Sequence, residues 1–349
     1  MNKLENIIGN KRIINNVRKS IKENSTSHAY VFMSEDKEAS KEIVYAIAKA
    51  MMCADFDKKE DSCQECKSCL TFDSGNNPDL KIISVDQINK VASSKDKTKI
   101  ISIDHIKDLL VSDAIYAPVC SKYKVYVIED ADLMTENAQN ALLKTLEEPN
   151  EYVKIFLIAS KESSLLQTIY SRSICIKVMP LKTEEIKQWA LTNLDSTVYQ
   201  KQLSELDYYA RYASGSLTRF KNTINDEDFD SYKNFVQEIA LPITTGKFED
   251  FEECKDKLND DTIKENINKV LDILSIWYRD IMLAKNIMSD MIVNVDRKEI
   301  IREQARNIKE DKVTNAIKAI EKFKEDLRNR ANYKIAVEVF LINISEVIK

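Results

Sequence analysis

The sequence predicts an α/β domain built on a parallel sheet, followed by all-α domains. Over the first 178 residues helical and strand-like patterns alternate, which is typical of parallel strands joined by crossover helices. From Thr183 onward the apolar residues recur at three- and four-residue spacings, and no segment alternates as a strand does. Only 4 Gly and 5 Pro occur among 349 residues, and 31% of the residues are charged, so the chain is expected to be rich in helix.

The strands are expected where short runs of apolar and β-branched residues occur. The run Val153–Ala159 is apolar at all but one position, as a central strand of a parallel sheet requires. A helix is expected from about Glu38, after the first strand, and another ends at Pro149, after the third. The expected strands span 29–33, 80–85, 124–129, 153–159 and 174–178.

Three domains are predicted, and Pro180 marks the end of the first. An α/β domain spans 1–178, a small domain of two or three short helices spans 179–224, and a helical C-terminal domain spans 225–349. The last domain is inferred from two long apolar stripes. Their residues are Ile263, Ile267, Val270, Leu271, Leu274, Trp277 and Ile281, then Val313, Ile317, Ile320, Phe323 and Leu327.

Charge and hydropathy exclude several classes of protein. The net charge of −5 argues against a protein that grips nucleic acid alone. No apolar run approaches the roughly 20 residues of a membrane helix, and no basic-then-apolar leader follows Met1, so a cytoplasmic location is expected. The stretch 225–262 carries 12 acids against 4 bases and is interpreted as a solvated linker and helix face rather than a docking site.

The segment from Lys124 to Pro149 has the order of elements that P-loop ATPases use to hold Mg²⁺. An apolar strand ends in two carboxylates, Glu129 and Asp130, and a helix follows. The matching phosphate loop should lie upstream, between a strand and a helix, with the pattern G-x-x-x-x-G-K-[ST]. The strand and helix are present there, and the segment joining them is Ser34–Lys41.

That segment lacks the residues that bind phosphate. A phosphate loop needs glycines where the backbone takes a positive φ or approaches the ligand, but Ser34 and Ala39 stand at those positions. Ser40 replaces the lysine that would reach the phosphates. Sliding the frame nominates Lys37 or Lys41 instead, but no frame restores a glycine. We therefore expect no ATP in this site, and interpret Glu129 and Asp130 as the remains of a metal-binding strand end.

Four of the 7 cysteines cluster as Cys53, Cys63, Cys66 and Cys69. Two-residue spacings let a turn direct successive thiolates at one metal, and the earlier cysteine completes a tetrahedral set. A redox pair or a coincidental grouping are the alternatives; disulfides are disfavoured in cytosol. A closed four-sulfur site is structural, so we expect one structural Zn²⁺.

Arg172 is the candidate for a function outside this chain's own site. It lies in Ser171-Arg172-Ser173, after the central strands. An arginine there can stand at a subunit boundary and stabilise charge on a neighbour's γ-phosphate. By position alone, an ordinary surface arginine is the simpler interpretation.

These segments together resemble the bacterial clamp-loader AAA+ proteins of DNA polymerase III, most closely the delta-prime type, over residues 1 to about 220. The C-terminal third matches only loosely, through Trp277–Asp280 and the helical pattern near Asn332–Val339. The segments that carry the resemblance are His28–Phe32, the four cysteines, Asn77–Leu80, Val125–Asp132, Ala138–Pro149, Ile169–Ser173 and Ala213–Leu217.

The resemblance implies a RecA-like AAA+ domain, a helical lid and a C-terminal collar that joins a subunit ring. It implies a non-catalytic stator, not an enzyme by itself, with gamma/tau ATPase and delta subunits as partners. Sliding clamp and primed DNA would be met through that complex. Arg172 would enter the ATP site of the adjacent motor subunit. Ser173 replaces the family's cysteine, and Glu129-Asp130 reverses the usual acid order.

Two other functions compete with this one. The chain could be an active AAA+ ATPase with an unconventional phosphate loop, although the combined loss of glycine and lysine weighs against it. It could also be a zinc-ribbon module that binds nucleic acid, although acids crowd the cysteine cluster and the net charge is negative.

Overall fold

A computed structural model describes residues 3–91, 97–194, 205–245, 248–286 and 289–348. The chain divides into two compact units, Met1–Trp189 with Gly215–Thr218, and Ala190–Ser214 with Arg219–Lys349. The division into 1–178, 179–224 and 225–349 does not coincide with these units and stays a prediction.

The first unit contains a sheet of five parallel strands in the order β2-β3-β4-β1-β5. The five expected strands are confirmed, each to within two residues. Their bounds are β1 Ala29–Met33, β2 Leu80–Ile83, β3 Lys124–Ile128, β4 Val153–Ala159 and β5 Ile174–Lys177.

Helices cover both faces of this sheet, because successive side chains of a strand point to opposite faces. Tyr30 and Phe32 of β1 enter one apolar cluster with α2, and Ala29 and Val31 enter the other with α7. The helices of the first unit are α1 Lys11–Lys22, α2 Lys37–Met52, α3 Phe56–Lys59, α4 Lys67–Asp73, α5 Val85–Val91, α6 Ile103–Ile106, α7 Glu136–Glu147 and α8 Gln167–Tyr170. A π-helical turn, Lys107–Val111, continues α6.

The described residues of the second unit form helices and turns, with no strand among them. The helices Thr183–Asn193 and Leu217–Ile224 each contain residues of both units. Trp277 anchors the core, where its indole N–H donates to Gln304 at 2.8 Å. The remaining helices are α9 Thr183–Asn193, α10 Leu206–Tyr212, α11 Leu217–Ile224, α12 Phe229–Thr245, α13 Phe248–Leu258, α14 Asp261–Glu265, α15 Ile267–Lys285, α16 Lys298–Asn307, α17 Glu310–Arg328 and α18 Tyr333–Ile348.

The acidic stretch 225–262 is not the linker that its composition suggests. Most of it forms α12 and α13, and Val236, Ile239 and Ala240 of α12 are buried. Described acids of these helices, such as Glu238, are exposed opposite the buried apolar residues, so the expected solvated helix face is confirmed and only the linker is wrong.

Candidate functional site

The carboxyl ends of β1, β3 and β4 meet at one edge of the sheet, where a P-loop ATPase binds its nucleotide. The segment after β1 is held there by the backbone N–H of Ser34, which donates to the carbonyl of Ala159 at 3.1 Å. Asp36 then caps α2, with its carboxylate accepting from the N–H of Ala39 at 3.1 Å. The start of a helix favours an anion. In this chain the carboxylate of Asp36 occupies the anion position at the start of α2.

Two lysines of α2 pair with the acids that follow β3. The Nζ atom of Lys37 lies 3.4 Å from an oxygen of Asp130 and 3.2 Å from an oxygen of Asp132. Lys41 lies 3.6 Å from Glu129 and 2.8 Å from Glu38 of its own helix. The strand-end carboxylates, which would coordinate Mg²⁺ in an ATPase, are therefore paired with cations from the segment Ser34–Lys41.

Further hydrogen bonds fix the same carboxylates. The hydroxyl of Ser160, after β4, donates to Asp132 at 2.6 Å, and Tyr45 of α2 donates to Glu129. Burial opposes ionisation of Asp132, but the Ser160 bond and the nearby Lys37 outweigh it and lower the pKa of that carboxyl. Burial, reinforced by Glu129, raises the pKa of the Tyr45 hydroxyl. Asp132 thus stays charged and Tyr45 stays neutral at pH 7.

Ser40 lies on the interior side of α2. It is fully buried, and its hydroxyl has no hydrogen-bond partner among the described residues. Ser40 stands where the phosphate-loop pattern has the lysine that contacts phosphate. That position therefore holds a short side chain directed away from solvent. The sequence predicts Ser34, Ala39, Ser40, Glu129 and Asp130 at this site, and the structure adds Asp132, Ser160 and Tyr45.

The four clustered cysteines converge as a metal site requires. Their Sγ atoms all lie within 4.8 Å of one another, and those of Cys63 and Cys69 are 4.0 Å apart. Zn–S bonds of about 2.3 Å place tetrahedral sulfurs about 3.8 Å apart. The N–H groups of Cys63, Cys66 and Cys69 donate to the Sγ atoms of Cys53, Cys63 and Cys66 at 3.2–3.4 Å. The donor set therefore fits a structural Zn²⁺ held by Cys53, Cys63, Cys66 and Cys69.

Buried polar groups connect residues 53–73, the cysteine module, to the rest of its unit. The carboxylate of Asp61 accepts from the backbone N–H groups of Leu4 and Glu5 at 3.1 and 3.0 Å. The buried ammonium of Lys49, in α2, contacts Asp73 at 2.6 Å and Gln64 at 2.5 Å. These contacts attach the cysteine module to the N-terminal segment and to α2.

Arg172 lies at the opposite edge of the sheet from the degenerate loop. It precedes β5, whereas Ser34 follows β1, and the two strands are parallel with Met33 paired to Lys177. With about 3.3 Å of rise per strand residue, Arg172 lies more than about 10 Å from the level of Ser34 along the strands. Its guanidinium is 2.8 Å from Glu147, at the end of α7, and about a third exposed. Arg172 therefore lies apart from the segment Ser34–Lys41 and the acids that it pairs with.

Sequence reasoning missed the role of Asp79. Its buried carboxylate accepts from the N–H groups of Val119, Cys120 and Ser121 at 2.6–2.8 Å, which fixes the loop before β3. Asn77–Leu80 contributed only to the resemblance, because nothing in its local pattern identifies a loop about forty residues away as its partner.

Two family sequence models match this chain. The one described as "DNA polymerase III, delta subunit" matches residues 9–182, and "DNA polymerase III, delta subunit, C terminal" matches residues 227–346. The chain belongs to the clamp-loader subunit family of DNA polymerase III. No helix among the described residues is long and apolar enough to cross a membrane.

Curated members of this clamp-loader family align over different shares of their length. The DNA polymerase III subunit delta' of Bacillus subtilis is 25% identical, covering 96% of each chain. A subunit tau/gamma of Haemophilus influenzae is 30% identical over 52% of this chain and 24% of its own length. Subunit tau of Escherichia coli is 26% identical over 70% of this chain and 36% of its own length.

Two solved structures are similar to this chain over most of its length. A gamma subunit-related protein of Thermotoga maritima has a TM-score of 0.42 and 17% identity, covering 96% of this chain and 99% of its own. The Bacillus subtilis clamp loader delta protein has a TM-score of 0.37 and 14% identity, covering 95% of this chain and 99% of its own.

Proposed function

We propose that this chain is a delta-prime-type, non-catalytic subunit of a DNA polymerase III clamp loader. It would assemble with gamma/tau ATPase subunits and a delta subunit in the bacterial cytoplasm, and help them load a sliding clamp onto primed DNA. The observation that carries the proposal is the internal neutralisation of its own nucleotide site, where Asp36 caps α2 and Lys37 and Lys41 pair with the strand-end acids.

This arrangement disfavours the alternative of an active ATPase. To bind a triphosphate, the chain would have to displace the Asp36 carboxylate from the start of α2, where its negative charge would repel the ligand. To bind Mg²⁺, it would have to release Lys37 from Asp130 and Asp132. Neither change would restore the glycines that let a backbone cradle phosphates.

Isothermal calorimetry of the full chain with Mg²⁺-ATP tests this part of the proposal. We expect no binding at micromolar ATP and no hydrolysis by the isolated chain. The cognate tau/gamma subunit serves as the positive control under identical conditions. A micromolar Kd that is lost in Lys37→Ala or Lys41→Ala would overturn the assignment and favour the unconventional ATPase.

The second part of the proposal gives Arg172 a role in trans. Its placement away from the chain's own site and its partial exposure support an arginine finger that contacts the γ-phosphate of a neighbouring ATPase subunit. Such a finger is worth about 10³–10⁵ in rate at the site it serves. The Zn²⁺ module contributes rigidity, not catalysis, because four cysteines leave no open coordination position.

Replacing Arg172 by Ala tests this role in a reconstituted loader. We expect normal folding and assembly, since an exposed ion pair contributes about 0–1 kcal/mol, but slower ATP hydrolysis stimulated by clamp and primed DNA. The loss in turnover will be partial because other motor sites keep their fingers. Arg12→Ala, at an exposed arginine of α1, is the matched control. If the Arg172→Ala loader assembles fully and hydrolyses ATP at the rate of the Arg12→Ala control, Arg172 is not a finger and the chain acts only as a scaffold.

The C-terminal domain is proposed to serve as the collar that joins the ring. On α18 the side chains of Ile335, Val339 and Ile342 are 61%, 44% and 45% exposed, and their spacing places them on one helix face. An exposed apolar stripe of this kind supports a subunit interface. The proposed organisation remains a RecA-like domain over 1–178, a lid over 179–224 and a collar over 225–349.

A further inference from the structure

Glu147 and Arg172 form an ion pair that the proposed function does not require. The Nη2 atom of Arg172 is 2.8 Å from a carboxylate oxygen of Glu147, the last residue of α7. The Nη1 atom donates to the carbonyl of Thr168 and to the hydroxyl of Ser171, both at 3.1 Å. Three groups from two segments thus hold one guanidinium at the edge of the sheet.

These contacts leave donors of the guanidinium available. An arginine has five N–H donors in a planar fork. The donors on Nη1 are used by Thr168 and Ser171, whereas Glu147 contributes an ion pair to Nη2. Among the residues that the structure describes, none accepts a hydrogen bond from Nε or Nη2, so Arg172 can keep its three contacts while donating to an outside anion.

We propose that Glu147 is a positioning residue that pre-orients Arg172 toward the phosphates of a neighbouring subunit's nucleotide. This inference rests on the proposed trans role of Arg172 and adds to it the group that directs the side chain. A free arginine carries about 2 kcal/mol of rotamer entropy, which is lost when the guanidinium is fixed on a ligand. Fixing it beforehand removes part of that loss from the transition state.

The size of the effect follows from the exposure of the pair. The two side chains are 35% and 50% exposed, and pairs of this kind are typically worth about 0.2–1 kcal/mol. The corresponding rate change is up to about fivefold at the served site. Glu147→Gln should therefore have a smaller effect than removal of Arg172 itself.

The test uses the complete reconstituted loader and four forms of this subunit. They are Glu147→Gln, Arg172→Ala, the double variant, and Glu148→Gln. Glu148 is the matched control because it is adjacent and exposed, and its carboxylate has no polar partner within the described part of the chain. ATPase kcat and KM are measured with clamp and primed DNA, and unfolding midpoints and assembly are checked for each form.

We expect Glu147→Gln to lower the kcat of the loader by less than Arg172→Ala does, with little change in KM, because pre-orientation acts in the transition state of one motor site. Glu148→Gln should match the wild type, and Glu147→Gln should have no further effect in the Arg172→Ala background. An unchanged or faster Glu147→Gln loader overturns the inference, as does an equal loss when Arg172 is absent. If Arg172→Ala itself has no effect, the trans role fails first, and this inference fails with it.

Discussion

Replacing Asp79 by Asn should destabilise the sheet-containing unit, although the two side chains have nearly the same shape. The Asp79 carboxylate is fully buried before β2 and accepts three backbone N–H bonds. One oxygen accepts from Val119, and the other accepts from Cys120 and Ser121. An asparagine must present its NH₂ group to at least one of these donors.

The magnitude follows from counting the three bonds. In the favourable orientation the NH₂ group faces Val119, so one hydrogen bond to a charged acceptor is lost, at about 1.5–3 kcal/mol. The bonds to Cys120 and Ser121 remain but lose their charge assistance, which costs about 0.5–1 kcal/mol each. The expected loss in the free energy of unfolding is therefore about 2.5–5 kcal/mol.

The pH dependence has a definite sign. Burial alone would raise the pKa of Asp79, but the three N–H donors outweigh it and lower that pKa. A carboxyl with a lowered native pKa stabilises the fold above its ordinary pKa of about 3.9, and this contribution is lost as pH falls through the native value. The difference between wild type and Asp79→Asn should be constant near neutrality and shrink only below about pH 4.

Urea unfolding combined with hydrogen exchange measures this effect locally. Peptides that span β2 and β3 should exchange faster in Asp79→Asn than in Asp86→Asn, a control at an exposed aspartate of α5. A loss below about 1 kcal/mol, the net worth of a single neutral hydrogen bond, would refute the account of the loop. An equal loss in both variants would do so as well.

Two further predictions concern the metal module and a buried lysine. Cys66→Ser should abolish a stoichiometric zinc signal in elemental analysis and accelerate hydrogen exchange over residues 53–72, because metal binding contributes directly to local folding. Burial lowers the pKa of Lys154 to about 8. Between that value and its ordinary pKa of about 10.4, the unfolded chain binds the extra proton, so wild-type stability should rise with pH by up to roughly 3 kcal/mol. Lys154→Met should remove this rise in pH-dependent urea unfolding.

Both of these predictions have a matched control variant. Cys175→Ser, at an exposed cysteine outside the cluster, should keep the zinc. Lys144→Met, at an exposed lysine of α7, should keep the wild-type pH profile. If protein purified under reducing conditions contains no zinc, the metal assignment is wrong. A Lys154→Met profile that still rises above pH 8 would assign the rise to another group.

Local sequence determined the strands because each is a short run rich in apolar residues, and the central strands of a parallel sheet are buried on both faces. The same reasoning placed the four cysteines in one cluster, since their spacing is local. For the stretch 225–262 it identified a solvated helix face correctly but wrongly expected a linker, because the count of acids concealed the apolar stripe of α12. It also gave Asn77–Leu80 no role, because the loop that Asp79 holds is distant in sequence.

What the sequence by itself determined was that Ser34–Lys41 does not match the phosphate-loop pattern, because the missing glycines and lysine are a matter of residue identity. Only the tertiary structure decided what replaced it. Lys37 and Asp130 are far apart in the chain, and they meet because β1 and β3 end at the same edge of one parallel sheet. Glu147 likewise reaches Arg172 only because α7 returns to the edge where β5 begins. Pairings of this kind depend on strand order, which no local pattern of residues specifies.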